Sequence, residues 1–185
     1  MNINMKQTVT ACASMLLLCS AAAHAEVVTC DNENTDVPAS TPTANFELHA
    51  DGTATDTTTG LVWMRCALEQ EWDESEGDCT GEENTHTWRE ALQAAQDINS
   101  GGGFAGHTDW RLPNKNELES IVEQRCWSPA INAAVFPRTP DGWFWSSSPY
   151  ADRSGNAWGV SFGGGGVNWY GTVNDFRVRL VRTGQ

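Results

Sequence analysis

Residues 107–122 read HTDWRLPNKNELESIV and place a strand signal, a stop and a helix start in quick succession. Trp110 and Leu112 flank Arg111, which predicts a short strand with its two large apolar side chains on one face and the arginine on the other. Pro113 ends this strand, because proline has no backbone N–H with which to continue strand pairing. The first half of the segment therefore predicts a short strand with a sharp end.

A helix start follows the proline directly. Asn114 and Glu117 have the spacing of a reciprocal capping box, in which each side chain bonds to the backbone N–H of the other residue. Leu118, Ile121 and Val122 then recur at helical spacing and form the predicted buried stripe. The segment as a whole is thus predicted to be a strand that passes into a capped helix, a pattern that needs no catalytic chemistry to explain it.

Upstream of this segment the chain shows further strand and helix signals. Asp51-Gly52 is a typical hairpin turn, and it separates predicted strands near 46–49 and 53–56. Residues 61–64 form an apolar strand. A second capping box then opens a predicted helix over 88–99.

The C-terminal third is rich in glycine and aromatic residues and alternates in the manner of antiparallel strands. The alternating apolar residues are Trp158, Val160, Phe162, Phe176, Val178 and Leu180. Arg177, Arg179 and Arg182 would then lie on a solvent face, either as a local basic patch or as an ordinary solvated surface. The order of strands, helix, strand, helix and strands predicts an α+β fold.

The N-terminus has the pattern of an export signal. Residues 1–25 combine a lysine, a short apolar stretch and the small-x-small sequence Ala23-His24-Ala25, which predicts a cleaved signal peptide. Lipidation at Cys19 is the less favoured alternative, because Leu18 stands where a small residue is expected. We expect a polar N-terminal tail over 26–44, a single domain over 45–185, and no transmembrane segment. The location is then periplasmic, or extracellular at the cell surface.

The chain is strongly acidic, with a formal net charge of −13. Such a charge repels nucleic acid and anionic membranes, so neither is an expected partner. The acid is concentrated in residues 69–83, EQEWDESEGDCTGEE, which carry eight carboxylates and no basic residue. We expect this stretch to be a solvated loop.

Four cysteines follow the predicted signal peptide: Cys30, Cys66, Cys79 and Cys126. An even number of cysteines in an exported chain predicts two disulfides, although the sequence alone leaves several pairings open. We favour Cys66–Cys79, which closes the acidic loop, and Cys30–Cys126, which ties the tail to the body. A zinc site is disfavoured, because no CxxC motif and no histidine ligand spacing occurs.

Six motifs occur in an order that resembles a known family. They are GLVWMRC (60–66), TWREAL (87–92), DWRLPNKNELESIV (109–122), FWSSSPY (144–150), AWGVSFGGG (157–165) and VRLVR (178–182). Together they resemble the C-terminal domain of Legionella collagen-like proteins, a bacterial family long filed as a domain of unknown function. The likeness covers roughly residues 45–183.

The resemblance carries implications for fold and function. Some of the motifs are also similar to those of the sulfatase-modifying-factor and fibrobacter paralogous domains, which implies a C-type lectin-like fold with two helices flanking a twisted antiparallel sheet. The resemblance to the Legionella collagen-like proteins further implies an adhesin that binds sulfated glycans and can trimerise. This chain departs from that picture, because it lacks a collagen-like Gly-X-Y stalk and its net charge is acidic. An oxidase activity is disfavoured, because no cysteine follows Cys126.

The lectin resemblance also raises the question of calcium. Asn174-Asp175 stands directly before the last strand, where C-type lectins place an Asn-Asp pair that holds calcium and sugar. Carboxylate and amide oxygens suit this ion. The companion Glu-Pro-Asn type loop is absent, however, and Asn-Asp is also an ordinary turn pair. We therefore predict no cofactor and keep calcium as the alternative.

These observations favour a non-catalytic binding or adhesion module that recognises a glycan or a surface protein. The predicted ligand residues are Trp143, Trp169, Tyr170, Arg177 and Arg179, because aromatic rings and guanidinium groups suit carbohydrate. One alternative is a structural subunit of a surface appendage. Another is a hydrolase of cell-wall polymer, which would need two carboxylates across one cleft. The identity of the ligand and the oligomeric state stay open.

Overall fold

The computed structural model describes residues 27–184, so the predicted signal peptide lies outside the described residues. The elements in chain order are β1 (Phe46–Leu48), β2 (Thr53–Asp56), β3 (Leu61–Met64), β4 (Glu71–Asp73), β5 (Asp78–Thr80), α1 (Trp88–Ser100), α2 (Lys115–Glu119), β6 (Trp143–Pro149), β7 (Asn156–Ser161), β8 (Val167–Gly171) and β9 (Val181–Thr183). A short 3-10 helix, Thr43–Asn45, precedes β1. Within the described residues, no helix is long and apolar enough to cross a membrane.

The fold is α+β, as predicted, but its strands form three separate antiparallel sheets. Their strand orders are β1-β2-β3-β9, β4-β5 and β6-β7-β8. The single twisted sheet that the resemblance implied is therefore not present. The segment before β9 lies between the two larger sheets without extending either of them. Arg177 exchanges two backbone hydrogen bonds of 3.0 Å with Trp143 and Trp145 of β6, and Met64 N–H of β3 donates to Leu180 O at 3.1 Å.

The hairpin and the first helix form where the sequence predicts them. β1 and β2 pair across the turn at Gly52, whose φ of 83° is readily adopted only by glycine. α1 begins with the predicted capping box, in which Thr87 and Glu90 each bond to the other's backbone N–H. The acidic stretch 69–83 is more ordered than a loop, because it contains the β4–β5 hairpin.

The segment 107–122 forms less regular structure than its sequence predicts. Within residues 110–112 only Arg111 makes a strand-like bridge, to Val181 of β9, so the predicted strand is wrong. The predicted placement of the side chains is correct nonetheless, because Trp110 and Leu112 are both buried and Arg111 is partly exposed. α2 has the predicted capping box but ends at Glu119.

The apolar interior divides into two clusters. The first gathers residues such as Trp63, Phe136 and Phe144 around the four-stranded sheet. The second lies under α1 and includes Trp110 and Trp145. Trp145 and Phe144 are neighbours on β6, so this strand supplies one side chain to each cluster.

The N-terminal segment is held firmly to the body. The disulfides are Cys30–Cys126 and Cys66–Cys79, the two pairs favoured from the sequence. Glu123 is fully buried, and its carboxylate accepts hydrogen bonds from the N–H groups of Ser40, Thr41 and Arg125 and from the Thr41 hydroxyl. A disulfide and a fully bonded buried acid therefore hold residues 30–41 in place.

Candidate functional site

The β6–β8 sheet presents two aromatic faces because side chains alternate along its strands. Trp158 of β7 stands opposite Trp169 of β8, and Ala157 stands opposite Tyr170. Ala157 is fully buried, whereas Trp158 and Trp169 are partly exposed. The two tryptophans form a cross-strand pair on the sheet face that also carries the buried Val160, and we call the partly exposed end of that face the outer face. Tyr170 points to the opposite, inner face.

Tyr150 completes an outer cluster that we call the aromatic face: Tyr150, Trp158 and Trp169. The Tyr150 ring is stacked on Trp169, with centroids 5.0 Å apart and an interplanar angle of 7°. It meets Trp158 edge-on at 5.2 Å. Offset stacks and edge contacts of this kind fix the orientation of partly exposed rings.

Two cationic side chains lie against the aromatic face. The Arg153 guanidinium lies 5.2 Å from the Trp169 ring centroid, and the Lys115 ammonium lies 5.6 Å from that of Trp158. Both separations are within the range of attraction between a cation and the face of an aromatic ring. The outer face thus offers flat apolar area with positive charge at its edge, although Lys115 is also 3.7 Å from Glu119.

A cleft of about 550 Å³ opens beside the aromatic face, between the start of α1 and the β6–β7 turn, and we call it the α1 cleft. Its lining residues are Thr87, Trp88, Arg89, Leu92, Pro149, Tyr150, Arg153, Ser154, Gly155, Asn156, Thr172 and Val173. Hydrogen bonds fix its walls: the Trp88 side-chain Nε1 donates to Ser146 O at 2.8 Å, and Thr172 backbone N–H donates to Gly155 O at 2.8 Å. Tyr150 belongs to both the cleft and the aromatic face, and Arg153 lines the cleft and lies against Trp169 of that face.

The charge at this cleft differs from that of the rest of the protein. Most basic side chains of residues 27–184 pair with an acid: Arg111–Glu117, Lys115–Glu119, Arg125–Glu33, Arg138–Asp78, Arg177–Glu83 and Arg182–Asp109. Arg65 and Arg179 are buried. Arg89 and Arg153 are the exposed bases that have no acidic partner among the described residues, and both line the α1 cleft.

The predicted ligand residues do not lie together. Trp143 and Tyr170 are in contact, with ring centroids 4.8 Å apart, and both pack on Phe176 at the inner side of the sheet. Trp169 lies on the outer face. Arg177 is partly buried and its Nε is 3.0 Å from a carboxylate oxygen of Glu83.

Arg179 requires a correction, because it does not lie on a solvent face. Its side chain is fully buried, and it donates to the carbonyls of Met64 and Arg65 and to the Thr139 hydroxyl. Burial lowers the pKa of Arg179 to about 9, so the guanidinium keeps its charge at neutral pH. A side chain in this position cannot touch a ligand at the surface. Arg182 is likewise buried and bonded to Asp109 at 2.8 Å.

The calcium alternative finds little geometric support. Asn174 and Asp175 are exposed, and Asn174 Nδ2 donates to Gly171 O at 2.7 Å in the turn that follows β8. Among residues 27–184, no group of three or more histidine, cysteine, aspartate or glutamate side chains is arranged to hold a metal. The pair acts here as a turn.

Sequence reasoning missed two features of this site. Alternation correctly places Trp158 on the same face of β7 as Val160. It does not show that the buried cluster, which includes Val160 and Phe162, ends before Trp158, which is partly exposed. The pairing of Trp158 with Trp169 depends on the register of the β7–β8 hairpin. The α1 cleft brings together segments that are distant in the chain, so no local sequence signal could reveal it.

A family model described as the Lcl C-terminal domain matches residues 52–182. The chain therefore belongs to the Lcl C-terminal domain family, in agreement with the resemblance of its motifs. The match covers β2 to β8, the first two residues of β9, both helices and the aromatic face, and β1 lies before it. No curated protein matches the chain.

Proposed function

We propose that this Lcl C-terminal domain is a non-catalytic module that binds glycan through its aromatic face. The observation that carries the proposal is the outward, partly exposed cluster of Tyr150, Trp158 and Trp169. Flat rings with polar N–H and O–H groups suit sugar rings, which have apolar C–H faces and hydroxyl edges. A contiguous apolar patch that reaches solvent commonly marks a binding surface, and these three partly exposed rings form such a patch.

The positions of Trp143, Tyr170, Arg177 and Arg179 refine this proposal. The first two rings support the sheet from its inner side, and the two arginines are engaged within the protein. We therefore assign ligand contact to Trp169 with Tyr150 and Trp158. Trp143 and Tyr170 act by holding β6 and β8 in position.

The adjoining α1 cleft is consistent with binding rather than hydrolysis. Its lining residues include no aspartate, glutamate or histidine. Glycosidic hydrolysis requires an acid and a base on either side of the bond, so the cleft supports recognition alone.

The cellular setting that fits this function is outside the cytoplasm. Two disulfides are typical of a protein that folds in an oxidising compartment. We propose that the protein is exported to the periplasm or the cell surface, and that its fold is a divergent relative of the C-type lectin-like group. A glycan on a surface or in a matrix would be available to it there.

A glycan array with the purified protein tests the proposal, with sulfated, carboxylated and neutral polymers run in calcium and again in EDTA. We expect binding that survives EDTA and falls about tenfold in Trp158→Ala and in Trp169→Ala, which is the loss expected for one stacking contact. Trp127→Ala is the matched control, because Trp127 is 46% exposed and its backbone N–H donates to Asn32 O of the N-terminal segment.

Three outcomes have distinct meanings. Loss of binding in EDTA would favour a calcium lectin and direct attention to Asn174 and Asp175. Equal losses in Trp127→Ala and Trp169→Ala would contradict the assignment to the aromatic face. No binding to any glycan would overturn the proposal in favour of a surface-protein partner or an appendage subunit.

A further inference from the structure

We propose that the α1 cleft binds a sugar residue that carries a carboxylate, with Arg89 and Arg153 as the groups that bind the anion. The inference rests on the proposed glycan function and names the class of sugar. It assigns the cleft to the acidic residue at the end of a chain, while the aromatic face holds the neighbouring rings.

Charge is the first argument for an anionic ligand. The protein carries a formal net charge of −13, and six basic side chains of residues 27–184 are paired with acids. Arg89 and Arg153 are exposed without such a partner among the described residues, and they line the same cleft. The nearest acid on α1, Glu90, is turned to cap Thr87 and does not line the cleft. The cleft is thus a positive spot on a negative surface, which attracts a small anion selectively.

The size and composition of the cleft fit a sugar. Its volume of about 550 Å³ falls within the range of about 300–1,000 Å³ that is typical of small-molecule sites. Trp88, Leu92 and Tyr150 provide apolar and aromatic walls for a ring face. Ser154 and Asn156 add a hydroxyl and an amide, which can bond to sugar hydroxyls.

Local charge argues for a single carboxylate rather than a densely sulfated polymer. A guanidinium presents a planar fork of N–H donors that matches the two oxygens of a carboxylate. Only two such groups line the cleft, and Asp152 is exposed in the same turn. A polymer with many negative charges would be repelled by the surrounding acidic surface, whereas one terminal carboxylate would not.

Arg153 connects the cleft to the aromatic face. Its guanidinium lies 5.2 Å from the Trp169 centroid, and Tyr150 is stacked on that same ring while also lining the cleft. Contact with the ring orients Arg153 and leaves its N–H edge free to donate. An acidic terminal sugar in the cleft would therefore continue directly into a chain that rests on the aromatic face.

The test compares two oligosaccharides that differ in one group. One ends in glucuronic acid and the other in glucose at the same position, and a third ends in glucose 6-sulfate. Titration calorimetry with the purified protein measures the three dissociation constants. We expect the acid-ended chain to bind at least about tenfold more tightly than the glucose-ended chain, the effect of one charge-assisted contact. We also expect Arg89→Gln and Arg153→Gln each to remove most of that difference.

Arg138→Gln is the matched control, because Arg138 is exposed and pairs with Asp78. Equal binding of the acid-ended and glucose-ended chains, or no binding of the acid-ended chain, would overturn the inference. If the sulfate-ended chain binds as tightly as the acid-ended chain, the assignment of the cleft to a carboxylate is overturned.

The failure of this inference is distinguishable from failure of the proposed function. If Trp169→Ala weakens all three chains while the two arginine variants leave them unchanged, the aromatic face stands and the cleft assignment falls. If Arg89→Gln and Arg153→Gln weaken binding of the acid-ended chain while Trp169→Ala does not, the assignment of the cleft is supported and that of the aromatic face is overturned.

Discussion

Two short segments with similar sequences, Trp110-Arg111-Leu112 and Val178-Arg179-Leu180, place their central arginines in opposite environments. In both segments the flanking apolar side chains are buried in the cluster under α1. The Arg111 side chain is 41% exposed and forms two hydrogen bonds to Glu117, whereas Arg179 is fully buried. Alternation predicts which side chains share a face, but it does not say whether the opposite face meets solvent.

The position of each segment relative to the two apolar clusters explains the difference. Residues 178–180 run between the clusters, so the face opposite Val178 and Leu180 meets Phe136 and Phe144. The Arg179 guanidinium lies 4.9 Å from the Phe136 ring centroid. Residues 110–112 lie at the edge of the same interior, where the opposite face is open.

The largest expected effect comes from removing the buried arginine. We expect Arg179→Ala to lower the free energy of unfolding by about 3–5 kcal/mol, because it leaves a cavity and removes the donor that serves two carbonyls and the Thr139 hydroxyl. Arg111→Ala should cost only about 0.5–1 kcal/mol, as is usual for a partly exposed ion pair. Urea unfolding of the two variants measures both values.

A volume-conserving variant separates the two causes of that loss. Arg179→Met fills most of the space but donates no hydrogen bond, so we expect it to cost about 1–3 kcal/mol, the penalty for orphaned acceptors. If Arg179→Ala lowers the free energy of unfolding by no more than Arg111→Ala does, the buried arginine contributes no more to stability than the exposed one, which contradicts the contrast drawn between the two segments.

The same contrast shows how far the sequence determines the structure. Capping boxes at Thr87 and Asn114 were predictable, because every bond in them joins residues three apart. The turn at Asp51-Gly52 was predictable for the same reason. The α+β class follows from the order of these local signals.

Features that depend on contacts between distant segments were not predictable. The burial of Arg179 depends on Phe136 and Phe144, which are far from it in sequence. The division into three sheets depends on the segment before β9. Phe176 and Arg177 form isolated bridges, to His86 and Phe144, instead of a continuous ladder that would join the sheets. At the candidate site, Trp169 could be proposed from composition, whereas the cleft between α1 and the β6–β7 turn could not.

Glu123 provides an acidic counterpart to Arg179 and a smaller expected effect. Both side chains are fully buried, but Glu123 accepts bonds from donors on Ser40, Thr41 and Arg125, whereas Arg179 Nε has no partner among the described residues. We expect Glu123→Gln to cost about 2–3 kcal/mol, because an amide nitrogen replaces one accepting oxygen and faces donors. Thermal and urea unfolding at pH 7 check this value.

The pH dependence of stability distinguishes a charged Glu123 from a neutral one. Burial alone raises the pKa of Glu123, but the hydrogen bonds from Arg125, Ser40 and Thr41 outweigh it, and the pKa lies below its ordinary value. The stabilisation is therefore present above about pH 4.3, the usual glutamate pKa, and is lost as the pH falls through the lower folded value. Glu123→Gln should lose less stability than the parent protein over that acid range.

The smallest expected effect lies at the ion pair of the opening segment, and it tests whether Arg111 is indeed an edge residue. The Arg111 Nη atoms are 2.7 and 2.8 Å from the two carboxylate oxygens of Glu117, a two-point geometry that holds both groups. In a double-mutant cycle with Arg111→Ala and Glu117→Gln, we expect a coupling free energy of about 0.5–1 kcal/mol that decreases in 1 M salt. Hydrogen bonding to Arg111 holds the pKa of Glu117 below its ordinary value, so this coupling is present above that value and disappears as the pH falls through the lowered one.

The neighbouring pair Lys115–Glu119, with its N–O distance of 3.7 Å, is the control for this cycle and should couple by less than about 0.5 kcal/mol. A coupling at Arg111 that reaches about 3 kcal/mol, the scale of buried pairs, and does not respond to salt would show that the segment is closed from solvent. The two arginines would then occupy similar environments. A weak, salt-sensitive coupling would instead confirm that the same apolar-Arg-Leu pattern serves an edge in one segment and the interior in the other, because the tertiary fold decides which face of the chain meets water.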